Sequence, residues 1–218
     1  MTNLIDNIGN EQSGYCYPNT DVLVNKKGIM DAEKLENEEK IITVYKLAIL
    51  NSGDYSNINM GFDVNHYLSI HKFLFDELYE FAGQYRTENI KKGKWFCDIQ
   101  FMSTNLNETL RDMNSKIKLV NSRDRLVLFL AKYFLDLNII HPFREGNGRT
   151  LREYLREYVE YINIKNGFNF ELDYKLMTND IKEKYLEGSI MDDRKIMMEV
   201  FDSLIKEKEY ENEKGNHR

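Results

Sequence analysis

The chain has 218 residues, a formal net charge of −6 and a hydrophobic fraction of 42%. That length fits one domain, with or without an extension, and is enough to bury a sizeable core. The apolar fraction argues against wholesale disorder, and the acidic balance makes DNA or an anionic membrane an unexpected partner.

Two prolines in the whole chain favour helix over a many-turned β fold. Cys16 and Cys97 stand in no CxxC or His-rich cluster, so free thiols in a reducing compartment are expected rather than a zinc site. Residues Met1 to Asn10 are polar and hold no apolar signal core. The longest apolar run, Leu126 to Ile140, carries Lys132 and Asp136 and is too short for a bilayer. A soluble, cytoplasmic protein is the expectation, with no membrane and no direct nucleic-acid contact.

In chain order, residues 1–25 read as irregular. Asp31 is placed to cap a helix running to about Leu50, stopped by Asn51-Ser52-Gly53. Val64, Leu68, Phe75 and Leu78 make a helical stripe over about Asp63 to Phe81. Tyr85 to Ile90 and Trp95 to Phe101 read as the two arms of a β-hairpin, with Lys91-Lys92-Gly93-Lys94 at the turn. Helices are expected at about Leu106–Val120 and Arg123–Asn138. The second of these is nearly all apolar and so is expected at the centre of the core. His141-Pro142 breaks it. Further helices are expected at Asn147–Ile164, Thr178–Ser189 and Asp193–Lys208, before a charged, frayed tail from Glu209 to Arg218.

The loop after the apolar helix is the chemically rich part. Gly146 and Gly148 permit positive φ and let backbone N–H groups approach a ligand. Those groups open a helix, whose N-terminus attracts phosphate. Arg149 offers a planar fork of donors to phosphate oxygens, and Arg152, three residues on, shares its face. Glu145 is a hard oxygen ligand of the kind Mg²⁺ takes along with water and phosphate. His141 titrates near neutral pH and can accept a proton from an attacking hydroxyl. Together these describe a phosphoryl or nucleotidyl transfer site. A lone His in this position would more often simply end a helix.

The run His141-Pro142-Phe143-Arg144-Glu145-Gly146-Asn147-Gly148-Arg149-Thr150-Leu151-Arg152 resembles the full signature of the Fic family, HPFx[D/E]GNGRxxR. Tyr15-x-Tyr17-Pro18-Asn19-Thr20, followed by Asn25-Lys26-x-Gly28-Ile29, resembles the N-terminal extension of the cell-filamentation type of Fic protein. The stretch from Phe81 to Gly93 resembles the family's target-clamping hairpin. The resemblance implies a mainly α Fic fold: a helical bundle around a central buried helix–loop–helix, with one β-hairpin flap. It implies residues 1–60 as an extension and first helix packed on the core, and residues 61–208 as the catalytic domain.

Position by position, it implies His141 as general base, Phe143 as the anchor of the loop behind Pro142, and Glu145 as the Mg²⁺ ligand. Gly146, Asn147 and Gly148 become the anion hole, Arg149 the holder of the outer phosphates, and Arg152 the partner of the γ-phosphate or of an inhibitory glutamate. Ile90, Lys91, Lys92 and Gly93 would hold the target by strand pairing, and Tyr185 would face adenine. The activity implied is transfer of AMP from ATP to a protein hydroxyl. Gly148 favours this over phosphorylation, since relatives acting as kinases carry Lys there. No complete Ser/Thr-x-x-x-Glu-Gly/Asn inhibitory pattern is present. Ala32 to Asn37 and Ser203 to Glu207 are degenerate copies. A bacterial toxin restrained by a small antitoxin carrying that pattern is therefore expected, and the resemblance to cell-filamentation Fic toxins suggests ATPase subunits of type II topoisomerases as the class of target. The competing readings are transfer of UMP, phosphate or phosphocholine, a dead nucleotide- or peptide-binding module, and a metal hydrolase, for which no second His stands near His141 in sequence.

Overall fold

The computed structural model describes residues 6–7 and 13–208, so the charged tail at 209–218 lies outside the described residues. In chain order the elements are β1 (Asp6–Asn7), α1 (Ala32–Asn51), α2 (Val64–Phe75), β2 (Ile90–Lys92), β3 (Lys94–Trp95), α3 (Ile99–Lys116) and α4 (Arg123–Ile140). They continue with α5 (Asn147–Asn166), β4 (Phe170–Leu172), α6 (Asn179–Met191), α7 (Arg194–Leu204) and β5 (Ile205–Glu207). The helices start where short polar side chains cap them. Asp31, Asp63, Asp98, Ser122, Thr178 and Asp193 each accept a hydrogen bond from an otherwise unpaired N–H of the first turn.

The apolar helix α4 packs against α3, α5 and α7. Side chains around most of its circumference are buried, among them Leu126, Phe129, Ala131, Phe134, Leu137 and Ile140. At about 1.5–3 kcal/mol for each large apolar side chain taken fully from water, this helix fixes the centre of the bundle. Its C-terminal end is where the chemistry-bearing loop begins, so that loop is anchored to the buried centre of the bundle. Helix α5 leaves the loop and packs on α2 and α4. The helix–loop–helix around a buried central helix is therefore present as expected.

Several boundaries differ from expectation. Helix α2 stops at Phe75 rather than continuing to Phe81, because the chain turns from Asp76 onward. Lys46 Nζ holds Asp76 and, at 3.0 Å, Glu77, while Leu78 O accepts the backbone N–H of Lys26 at 2.8 Å. The hairpin is far shorter than its expected arms. Tyr85 to Asn89 and Phe96 to Asp98 do not pair with each other in a ladder, because their polar groups bond elsewhere: Arg86 N–H to Pro142 O at 2.8 Å and Cys97 N–H to Ile139 O at 2.9 Å. Ile99 to Phe101, expected as strand, open α3, which Asp98 starts seven residues before the expected Leu106. Residues 205–207, expected as helix, form β5. It pairs antiparallel with β4 in the register Leu172 with Ile205 and Phe170 with Glu207. The region read as irregular holds β1, which pairs antiparallel with β2, Asp6 opposite Lys91 and Asn7 opposite Ile90.

Candidate active site

The loop between α4 and α5 is built by two conformational necessities. His141 closes α4 in the left-handed region, at φ 47° and ψ 61°, and Pro142 prevents the helix from continuing. Gly146 precedes α5 at φ 80°, and a Cβ there would lie 2.4 Å from two carbons of the Phe75 ring. Only glycine fits both the backbone and the space. Asn147 then closes the loop on itself: its Oδ1 accepts the Phe143 N–H at 2.9 Å and its Nδ2 donates to Phe143 O at 2.7 Å. Its side chain is thus committed to the loop, and only its backbone N–H remains for an anion. The Phe143 ring is fully buried and stacks on His71 at 3.7 Å.

A cavity of about 640 Å³ lies against this loop. His141, Glu145, Gly146, Asn147, Gly148, Arg149, Arg152 and Tyr185 all line it. The N-terminus of α5 opens into it with backbone N–H groups that have no acceptor within the helix. His141 Nδ1 donates to Asn138 O at 3.2 Å, which leaves Nε2 as the basic nitrogen. Its ring stacks on Phe96 at 3.7 Å. Burial, and after it the charges of Arg86 and Lys92, push the imidazole down to about 3, so it is neutral around pH 7. Glu145 Oε1 accepts the Gly146 N–H at 2.8 Å, while Oε2 has no hydrogen-bond partner among the described residues.

The two arginines differ. Arg149 lies 4.7 Å over the Phe75 ring and pairs with Glu39 of α1. Arg152 has no carboxylate within ion-pair reach among the described residues. Its Nη1 lies 3.4 Å from the Tyr185 hydroxyl, and its guanidinium lies 5.9 Å over that ring. Arg156, one turn further along α5, pairs with Glu153, its Nε at 3.0 Å from Oε2, and its Nη2 reaches the Tyr55 hydroxyl at 3.1 Å. A second cavity of about 430 Å³ abuts the first behind Arg149 and Arg152, between α1 and residues 171–175. The Tyr174 side chain lines it, and its hydroxyl is buried without a hydrogen-bond partner.

Of the hairpin, Lys92, Lys94 and Phe96 form part of the main cavity wall. Ile90 is buried, Lys91 Nζ lies 5.7 Å over the Trp95 ring, and Gly93 makes the turn at φ 72°. Strand β2 has β1 on one side and β3 on the other, so an extended segment would add at β3 or take the place of β1.

Sequence reading missed the residues that hold this arrangement. His71, which belongs to no sequence motif, accepts the Gly83 N–H on Nδ1 at 2.7 Å and donates from Nε2 to Glu145 O at 2.9 Å. Arg86 stood within the hairpin resemblance but acts on the loop. It donates to His141 O from Nε at 2.8 Å, to Glu88 O from Nη1 at 2.7 Å, and to Cys97 O from Nη2. Glu39 sits in the buried stripe of α1 with Leu35, Ile42 and Thr43. A carboxylate at helical spacing among apolar residues was the signal available for it. His66 is buried as well, with Nε2 at 2.7 Å from Glu157 Oε2.

This fold is that of Fic domains. A Bartonella tribocorum effector, the VirB-translocated BepC protein with bound AMPPNP, superimposes with a TM-score of 0.74 at 22% identity, over 89% of this chain and 97% of that one. The Fic/DOC family model matches residues 61–159. The chain is 33% identical over 150 residues to a probable protein adenylyltransferase, y4lH of Sinorhizobium fredii, covering 67% of this chain and 74% of that protein. It is 24% identical over 204 residues to the probable protein adenylyltransferase Fic of Escherichia coli, covering 93% of this chain and 96% of the relative. The chain belongs to the Fic/DOC family.

Proposed function

We propose that this protein is a protein adenylyltransferase, moving AMP from ATP to a Ser, Thr or Tyr hydroxyl of a target protein. The observation that carries the reading is the convergence, in one cavity, of a basic imidazole nitrogen, a helix N-terminus and two arginine forks. The relatives named as adenylyltransferases support it. The target hydroxyl oxygen attacks the α-phosphorus of ATP, the bond from that phosphorus to the β-bridging oxygen breaks, and pyrophosphate leaves. The hydroxyl proton passes to His141 Nε2. The N–H groups of Asn147, Gly148 and Arg149 receive the charge on the phosphate oxygens, in a site already oriented for it. Arg149 holds the β- and γ-phosphates and favours departure of pyrophosphate, and Arg152 takes the γ-phosphate.

Glu145 fits as the residue holding Mg²⁺. Its Oε1 is engaged by the Gly146 N–H and, at 3.5 Å, by Arg149 Nη2, while Oε2 has no hydrogen-bond partner among the described residues, and Mg²⁺ commonly takes one or two carboxylates with water and phosphate. A bound Mg²⁺ would neutralise phosphate charge. Tyr185 would border the adenine side of the cavity, and Ile90 to Gly93 the target side.

The same reading includes regulation. Arg152, without a carboxylate partner among the described residues, and the cavity behind it suit a glutamate brought by a small antitoxin helix with the pattern Ser/Thr-x-x-x-Glu-Gly/Asn. The chain then acts as a toxin in the bacterial cytoplasm, with topoisomerase ATPase subunits as the first targets to try. Incubation with Mg²⁺ and ATP labelled at either the α- or the γ-phosphate tests the reaction. Label from the α-position on a protein band supports adenylyl transfer, whereas label only from the γ-position makes the enzyme a kinase. Replacing ATP by labelled UTP tests UMP transfer in the same assay. Adding the product of the neighbouring gene tests the antitoxin: inhibition of wild type with escape of Arg152→Ala supports it, and no effect on the wild type contradicts it.

A further inference from the structure

We infer that Glu39 of α1, held by the Tyr79 hydroxyl, is the positioning residue that aims Arg149 at the departing pyrophosphate. The inference rests on the adenylyl-transfer reading for its catalytic meaning, but not for its geometry.

Glu39 stands in the buried stripe of α1, where an apolar side chain would be the ordinary occupant. It is a carboxylate with only 8% of its surface exposed, on the inner face of a helix whose outer face carries charge freely. Burial raises its proton affinity, and Arg149 is the largest influence pulling that affinity back down. Each of its oxygens has its own donor. Oε2 receives the Tyr79 hydroxyl at 2.6 Å, and Oε1 receives Arg149 Nη2. Tyr79 itself is 2% exposed, and it reaches Glu39 because α2 ends early and the chain turns at Asp76.

The pair fixes Arg149 from behind. Thr43 Oγ1, one helical turn beyond Glu39, lies 3.4 Å from Nη1. The guanidinium plane rests on Phe75, the same ring that excludes any side chain at Gly146. One edge of the fork and one face are thereby occupied, while Arg149 still lines the cavity beside the α5 N-terminus. A long flexible side chain loses rotamer freedom when it grips a ligand. Here that ordering is complete before ATP arrives. The benefit falls mainly on the step in which charge builds on the leaving oxygens, since preorganised donors act most strongly where charge develops.

The test has two independent arms. In the first, arginine-selective ¹⁵N spectra follow the Arg149 guanidinium, assigned by its loss in Arg149→Lys. Wild type is expected to show a slowly exchanging, shifted Arg149 signal, which collapses to the free-arginine position in Glu39→Gln and moves partway in Tyr79→Phe. This arm needs no catalysis, so it decides the geometry even if α-labelled ATP labels nothing and the adenylyl-transfer reading fails. In the second arm, kcat and KM for ATP are measured. Glu39→Gln is expected to lower kcat tenfold or more with less than a threefold change in KM, and Tyr79→Phe to act in the same direction by a smaller factor. In an Arg149→Ala background, Glu39→Gln is expected to have no further effect. An unchanged Arg149 signal overturns the inference. So does an equal loss of kcat with Arg149 absent, which would make Glu39 merely structural. A rise in kcat in Glu39→Gln overturns it too, because Glu39 would then compete with phosphate for Arg149 as a brake.

Discussion

At the scale of single residues, the loop depends on groups that never meet substrate. Asn147 satisfies both backbone groups of Phe143, so Asn147→Ala leaves a buried donor and acceptor unpaired. The expected cost is about 2–6 kcal/mol, roughly 1–3 for each group. It is read as a lower denaturant midpoint; a change within 0.5 kcal/mol, the usual scatter of neutral surface substitutions, would show that the loop does not need the clamp. His71 gives a pH signature. Burial holds it down to about 3, against an ordinary 6.5. As pH falls from about 6.5 toward 3, the unfolded chain takes up a proton that the native state refuses. Stability is therefore lost with acidification, by up to about 1.4 kcal/mol per pH unit; above pH 6.5 the effect vanishes. The stability gap between wild type and His71→Gln should accordingly narrow by about 2 kcal/mol between pH 6.5 and 5. A gap that stays constant contradicts a neutral His71.

At the scale of elements, the hairpin and the catalytic loop are one mechanical unit. Arg86 joins them through the carbonyls of His141, Glu88 and Cys97, and Asp98 joins the hairpin to α3. Asp98 Oδ1 caps α3 through the Gln100 N–H at 3.0 Å, and Oδ2 accepts from Asn89 Nδ2 at 3.0 Å. Asp98→Ala is expected to cost about 1 kcal/mol as a lost cap. It should also raise amide exchange across residues 89–96, and unchanged exchange there would separate cap from hairpin. Arg86→Lys keeps the charge but cannot span three carbonyls, so transfer activity is expected to fall at least tenfold with the fold retained. Wild-type activity in Arg86→Lys would place the loop's support elsewhere.

These links explain which elements were legible in the sequence. Helices α4 and α5 were, because their apolar spacing and the His141-Pro142 break are local signals. The hairpin arms were not, because Tyr85 to Asn89 and Phe96 to Asp98 look strand-like while the Arg86 N–H is claimed by Pro142 and the Cys97 N–H by Ile139 across the fold. Helix α2 was overrun for a similar reason: Lys46, thirty residues earlier, holds Asp76. Strand β5 ends an amphipathic helix with no Gly or Pro to mark the change, and only its pairing with Phe170–Leu172 defines it. Within the site, the motif residues were legible from spacing. Glu39, His71 and Arg86 were not, since each acquires its role from a contact 55 or more residues away.

At the scale of the molecule, one helical bundle brings an imidazole, a helix N-terminus and two arginines to a common cavity, and α1 lines that cavity through Glu36, Glu39 and Lys40. Among the described residues, no helix is long and apolar enough to cross a membrane. Neither degenerate internal copy of the inhibitory pattern puts a carboxylate on Arg152, since Glu36 lines the cavity without pairing there and Glu207 lies in β5. The measurement to make first is transfer from α-labelled ATP, with Mg²⁺ and a bacterial lysate, comparing wild type with His141→Ala. A labelled protein band with the wild type, reduced at least a hundredfold in the variant, is the expected result, in line with the range for loss of a general base. Equal labelling by the two proteins would contradict His141 as the base and, with it, the assignment of this cavity as the site of transfer.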